Sequence, residues 1–163
     1  MAIKSLSDLL SKTLQDVLYS EQSIQKAIPA LAEKSTNPEL KKVLKDHLAK
    51  TEAQIKRLEK VFTLVKKPAS STQSIAIDGI LAEAKSVAAA IEDRDVRDAG
   101  ILAAIQEVEH YGITRYGTML AWADQLSLKE ASLPLRDSLN ASKELDRTLT
   151  KIAETRVNRL AAA

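Results

Sequence analysis

Four long segments of this sequence carry apolar residues at alternating steps of three and four. Along the first segment the stripe consists of Leu10, Leu14, Val17, Ile24, Ile28 and Leu31. This spacing puts the side chains on one face of an α-helix, because a helix has about 3.6 residues per turn. Similar stripes predict four long helices, at about 6–33, 38–65, 96–126 and 128–155.

Polar and proline-containing segments indicate where these helices begin and end. Three starts are marked by the capping boxes Ser5–Asp8 and Ser127–Glu130 and by the pair Asn37-Pro38. A linker-like break at 66–72 precedes a short Ala-rich helix at about 75–91, which we expect to pack across the long helices. The tail from Arg156 to Ala163 is expected to fray.

A single domain over residues 1–163 accounts for this pattern. The chain has only four Gly and four Pro, which is little material for the many turns of a β-sandwich or barrel. The sequence therefore predicts an all-α fold. It is an antiparallel four-helix bundle with one short additional helix between the second and third long helices.

Composition excludes several classes of function. The absence of Cys excludes disulfides, thiolate metal sites and cysteine nucleophiles. A balance of 24 Lys and Arg against 22 Asp and Glu is too even to imply a nucleic-acid partner. No apolar run is long enough for a membrane span, and the amino terminus lacks the apolar core of a secretion signal. We therefore expect a cytoplasmic protein with no membrane partner.

Polar side chains interrupt the apolar stripes near the middle of each long helix. Glu21, Glu109 and Asp146 occupy stripe positions on three helices, while His47 and Gln54 do so on the second. A buried carboxylate costs several kcal/mol unless it is paired or binds a metal. Carboxylates that converge from facing helices build di-iron and di-manganese sites in bundles. The alternative is that each polar residue is satisfied by its neighbours and fixes the packing register.

The complete ligand pattern of such sites also needs Glu and His three residues apart. Here the only such pair is Glu107 and His110, which points away from the stripe and fits a solvated face better. His47 is more simply a hydrogen-bonded core histidine than a ligand. Tyr19 and Tyr116 are candidates for hydrogen bonds to the cluster.

Five groups of residues along the chain form a more specific signal: Tyr19-Ser20-Glu21-Gln22, His47-Leu48 with Thr51 and Gln54-Ile55, Val96-Arg97-Asp98-Ala99, Val108-Glu109-His110-Tyr111 and Tyr116-Gly117-Thr118. Together they resemble the YciF/YciE family over about residues 5–155. This is a bacterial ferritin-like family of unknown activity that is associated with stress responses. The resemblance implies a ferritin-like fold, a homodimer and a di-metal centre between the long helices.

Matched to the family residue by residue, the candidate metal ligands are Glu21, Gln54, Glu109 and Asp146. Positions where the family usually has acids are occupied here by Ala49, Lys50, Gly112 and Ser142. Since two metal ions need several anionic oxygens around them, these departures imply an incomplete site.

The orientation of Lys50 separates two hypotheses. If Lys50 turns inward, its ammonium repels a metal and neutralises Glu21 or Glu109, and this is the reading we favour. If it turns outward, the acids together with Glu52, Gln54 or His47 could still hold an ion.

The leading hypothesis is a stress-associated ferritin-like homodimer with a degenerate di-metal site and a structural or partner-binding role. In this hypothesis the cofactor is none or a single divalent metal, and di-iron is disfavoured. The alternative is a di-iron, di-manganese or single-metal oxidase or peroxide-scavenging protein. A DNA-protecting ferritin relative is disfavoured by the near-neutral charge.

Overall fold

The computed structural model describes residues 3–163, and helices provide all the regular secondary structure in that range. The predicted all-α class is therefore confirmed. The helices are α1 (Leu6–Lys34), α2 (Pro38–Leu64), α3 (Ile75–Ala90), α4 (Arg94–Gln125), α5 (Lys129–Ile152) and α6 (Asn158–Ala161), with a π-helical turn at Ala153–Val157 before α6. No helix in the described range is long and apolar enough to cross a membrane.

Side-chain caps hold the starts of α1, α2 and α4. The Ser5 hydroxyl accepts a hydrogen bond from the backbone N–H of Asp8, and the Asn37 side chain accepts from two N–H groups of the first turn of α2. Both starts agree with the sequence prediction. Asp93 caps α4 in the same way as Asn37 caps α2. These bonds satisfy N–H groups that have no partner within the helix.

The second predicted capping box, Ser127–Glu130, does not form. Ser127 adopts a φ of 58° and belongs to the end of α4, while Leu128 precedes α5 without a side-chain cap. The Ser127 and Leu128 N–H groups donate instead to the carbonyls of Asp124 and Ala123. This is a Schellman ending, a structure that usually has glycine at the left-handed position. The spacing of Ser127 and Glu130 predicted a cap for α5. Ser127 instead takes the left-handed conformation that ends α4, and a residue in that conformation does not serve as the N-cap of α5.

The left-handed conformation of Ser127 predicts that a glycine at this position would stabilise the fold. Replacing Ser127 with Gly is expected to raise the free energy of unfolding by about 0.5–1 kcal/mol, because Gly adopts a positive φ without the steric cost of a Cβ. Ser127 is exposed, so little packing is lost. Chemical denaturation of S127G beside S127A tests this. Equal stability of the two variants would contradict it.

The four long helices contact one another in a closed ring. In this ring α1 contacts α2 and α4, and α5 contacts the same two helices. The short helix α3 packs on the outside against α1 and α4, as the sequence predicted, and buries Ile77, Ala84 and Ala88.

A polar layer divides the interior into two apolar clusters. Cluster 1 includes Ile28, Leu44, Ile105 and Leu149 among its members, and cluster 2 includes Leu14, Leu58, Met119 and Leu135. Between them every long helix contributes a buried polar side chain. The predicted stripes of α1, α2 and α4 are buried almost throughout, so those three patterns are confirmed.

The chain end is helical and packed, so the predicted fraying of residues 156–163 is wrong. Val157 is only 1% exposed and joins cluster 1, and α6 contacts α4. The Arg156 guanidinium donates a hydrogen bond to Glu39 at 3.0 Å. The π-helical turn inserts extra backbone between Ile152 and Val157, and both side chains lie in the apolar core.

A buried aspartate fastens α4 to the connection between α1 and α2. The Asp98 carboxylate is 1% exposed and accepts hydrogen bonds from the Thr36 backbone N–H, the Thr36 hydroxyl and the Asn37 N–H, the last at 2.6 Å. Asp98 lies four residues before Leu102 and so extends the α4 stripe. No structural role was predicted for Asp98 from the sequence, although its spacing from Leu102 indicates burial.

Candidate functional site

The polar layer surrounds a small cavity at the waist of the molecule. Its polar lining includes Glu21, His47, Gln54, Glu109 and Ser142, which come from all four long helices. The cavity volume is about 10 Å³, which is room for about one water molecule. Four of these five side chains, all except Ser142, were predicted from the sequence to converge at the middle of the long helices.

Glu109 and His47 form a buried pair within this layer. The His47 Nε2 lies 3.0 Å from the Glu109 Oε1, and the side chains are 3% and 4% exposed. The other imidazole nitrogen, Nδ1, is buried without a hydrogen-bond partner among the described residues. His47 is therefore the partner of Glu109, the role that the sequence analysis had given to Lys50.

Glu21 is held by a different neighbour. The Tyr116 hydroxyl donates a hydrogen bond to the Glu21 Oε1 at 2.7 Å. Burial raises the pKa of Glu21 to about 8, against a smaller lowering by the Tyr116 hydrogen bond, and the negative charge of Glu109 raises it further. Burial and the Glu21 carboxylate likewise raise the pKa of Tyr116 well above its usual value. In the absence of a metal ion Glu21 is therefore mainly a neutral acid at pH 7.

Two small residues close the side of the cavity between α4 and α5. A Cβ added to Gly112 would lie 3.2 Å from the Ser142 Oγ, which is a tight contact. The same hydroxyl accepts a hydrogen bond from the Gln54 amide at 3.4 Å. Positions 112 and 142 carry small side chains instead of carboxylates, and α4 and α5 lie close together at this point. A larger side chain at 112 fits only if Ser142 moves.

Asp146 lies outside this layer, contrary to the predicted convergence. Its carboxylate accepts one hydrogen bond from Gln106 at 3.1 Å and pairs with His110 at 3.2 Å, on a flank where His110 is 68% exposed. The reason is the phase of α5. Its buried stripe runs through Leu135, Ser138, Ser142, Leu145, Leu149 and Ile152, so position 145 faces the core and position 146 faces its edge.

The other candidates on α2 also point away from the cavity. Glu52 and Ala49 are exposed, and Lys50 is partly buried but forms no ion pair in the described chain. The inward orientation that we favoured for Lys50 is therefore wrong. His47, Thr51 and Gln54 occupy the inner face of α2, which leaves the intervening positions on its flanks.

Tyrosine contacts extend the layer outward. The Tyr111 hydroxyl, which the sequence analysis gave no role, lies 3.2 Å from the Ser20 Oγ and 3.1 Å from the Ser74 Oγ. Tyr19 does not reach the cluster, because its hydroxyl donates to Asp78 at 2.8 Å. In residues 3–163 no three side chains of His, Asp or Glu are grouped as a metal site requires.

Comparison with known proteins places this chain in a family. A family model described as a domain of unknown function, DUF892, matches residues 5–162. The chain belongs to the DUF892 family. It is 33% identical over 162 residues to the protein YciF of Escherichia coli strain K12, covering 99% of this chain and 98% of YciF. The predicted YciF-type resemblance is confirmed.

Solved structures agree with this assignment. YcfI, a candidate structural protein from Rhodopseudomonas palustris, superposes with a TM-score of 0.91 at 41% identity, over 93% of this chain and 96% of that one. The E. coli stress protein YciF gives a TM-score of 0.91 at 32% identity, over 96% and 99%. A protein from Xanthomonas campestris shares the fold at 20% identity, with a TM-score of 0.76 over 95% of each chain.

Proposed function

We propose that this DUF892 chain is a stress-associated ferritin-like protein with a degenerate di-metal site, which acts through structure or partner binding. It forms one domain, an antiparallel four-helix bundle, and assembles as a homodimer in the cytoplasm. The stress association extends to this chain what is said of E. coli YciF, and the structural role extends what is said of YcfI.

The order in which each helix meets the two apolar clusters supports the bundle. Along α1 and α5, cluster 2 residues such as Leu14 and Leu135 come before cluster 1 residues such as Ile28 and Leu149. Along α2 and α4 the order is reversed. Neighbours in the ring then run in opposite directions, and the connection through α3 is the one long crossover typical of ferritin-like folds.

The pairing of both acids with neighbouring protein side chains is the observation that carries the degenerate site. Glu21 is bound by Tyr116, and Glu109 is bound by His47. Two metal ions need several anionic oxygens from all four helices, whereas in the described chain two carboxyl side chains, Glu21 and Glu109, line this cavity. The donor set and the volume of about 10 Å³ do not fit a di-metal centre.

Metal analysis tests the proposal directly. Protein purified without chelators and then incubated with Fe(II), Mn(II) or Zn(II) is expected to retain less than about one ion per chain after desalting. The E109A and E107A variants serve as a matched pair, because Glu109 lines the cavity and Glu107 is exposed on the same helix. Both are expected to match the parent in metal content.

A different result would favour the alternative function. Two ions per chain, lost in E109A and kept in E107A, together with metal-dependent consumption of oxygen or peroxide, would overturn the degenerate site. The protein would then be a di-iron or di-manganese oxidase or peroxide-scavenging protein. One ion per chain, lost in E109A and kept in E107A and accompanied by the same consumption, would favour the single-metal form of this alternative.

A further inference from the structure

An open groove lies between α1 and the short helix α3, and its lining residues differ from those of the cavity in the polar layer. It is formed by residues 23–34 of α1 and 81–89 of α3 and encloses about 460 Å³. Its walls are mainly apolar and small, with Ala27, Ala30 and Leu31 on one side and Leu81, Ala82 and Ala89 on the other. A groove of this volume and lining is within the range of ligand and peptide sites.

Three lysines give the groove a single sign of charge. Lys26 and Lys34 line it from α1 and Lys85 lines it from α3, and all three are exposed. None of them forms an ion pair within residues 3–163, and no acidic side chain of that range lines the groove. The groove is therefore apolar at its floor and positive along its rim.

The spacing of the lysines indicates the shape of the partner. Lys26 and Lys34 are eight residues apart on one helix, which separates them by about 12 Å along its axis. An amphiphile with a single anionic head group can neutralise one end of such a rim. An amphipathic helix with carboxylates on both sides of its apolar stripe can neutralise the whole length. The alanines of the walls leave room for a helix backbone to approach closely.

We propose that this groove binds an acidic amphipathic helix of a partner protein, whose apolar face lies between α1 and α3 and whose carboxylates pair with Lys26, Lys34 and Lys85. This groove proposal rests on the proposed partner-binding role, and it specifies the partner as an acidic amphipathic helix. The charge complementarity favours association and weakens with salt, because the lysines are exposed.

Two designed helical peptides test the groove. Each is about 14 residues long, which gives about 21 Å of helix, with Ala and Leu along one stripe. One peptide carries Glu on both flanks and the other carries Lys at the same positions. We expect the Glu peptide to bind the full-length protein at least about tenfold more tightly than the Lys peptide at low salt. In ¹⁵N spectra it should shift the amide signals of Ala27, Ala30 and Ala82.

Matched variants localise the binding. The triple variant K26E/K34E/K85E is expected to reverse the preference between the two peptides, whereas K56E/K60E/K151E, at three exposed lysines outside the groove, is expected to keep it. A82F fills the groove from an exposed position and should weaken the Glu peptide about tenfold. Circular dichroism of each variant confirms that it is folded.

Several outcomes would overturn the proposal. These are no binding of the Glu peptide, equal loss in both triple variants, tighter binding of dodecanoate than of the peptide at the same amide signals, or self-association of the protein through the groove that K26E/K34E/K85E abolishes. The proposed function can fail separately. A full di-metal complement overturns the degenerate site whatever the peptides do, while failed peptide binding overturns the groove assignment alone.

Discussion

Replacing Asp98 with Ala is expected to lower the free energy of unfolding by about 3 kcal/mol. The substitution removes the acceptor of the Thr36 and Asn37 backbone N–H groups and of the Thr36 hydroxyl. The Asn37 N–H lies at a buried site, and leaving a buried donor without a partner costs about 1–3 kcal/mol. The loss also loosens the start of α2, because Asn37 is its N-cap. Urea unfolding followed by circular dichroism measures the change.

Two further variants separate this anchor from a general effect of charge. D98N keeps one acceptor oxygen and is expected to lose less stability than D98A. E107A removes an exposed carboxylate from the same helix and is expected to change stability by less than about 0.5 kcal/mol. If D98A and E107A unfold at the same urea concentration, the Asp98 contacts do not hold the α1–α2 connection.

The pH dependence of stability is the second large effect, and Glu21 is its source. The pKa of Glu21 is about 8 in the folded chain and about 4.5 when unfolded. Between these values the folded state retains a proton that the unfolded state has lost, so the contribution of Glu21 to stability falls as pH rises from about 4.5 to 8 and is level above that. The total loss is on the order of 3–5 kcal/mol.

The E21Q variant isolates this contribution. Its side chain is neutral at every pH and can still accept the Tyr116 hydrogen bond. Urea unfolding at pH 5, 7 and 9 is expected to show E21Q more stable than the parent at pH 9, with a smaller fall between pH 5 and 9. E52Q changes an exposed glutamate and is expected to follow the parent. Parallel curves for E21Q and the parent would show that Glu21 is ionised at little cost in the fold.

The apolar stripes predicted the burial of Glu21 and Glu109 correctly, but not that of Asp146. Glu21 and Glu109 were assigned to the interior because each lies in register with an apolar stripe, and both are 4% exposed. On α5 the apolar residues are sparser, and two phases of the pattern fit the sequence. The phase that contains Leu145 buries more apolar surface than the phase that contains Asp146, and the structure follows it.

The partners of the acids depend on contacts between helices. Tyr116 is 95 residues from Glu21, and His47 is 62 residues from Glu109, so no local spacing could pair them. The sequence around Lys50 does not determine the direction of its side chain either, because a lysine on the flank of a helix can turn toward the core or toward solvent. The partners of the two acids and the orientation of Lys50 depend on which residues of α1, α2 and α4 face one another.

The sequence by itself determined the helices, the stripes of α1, α2 and α4, and the presence of a polar layer, because periodicity and burial follow from residues a few positions apart. Only the tertiary structure decided that Tyr116 and His47 satisfy the acids, that Gly112 meets Ser142, and that the chain end packs at Val157. These depend on the rotation of each helix against its neighbours, which is set by the packing of the whole core.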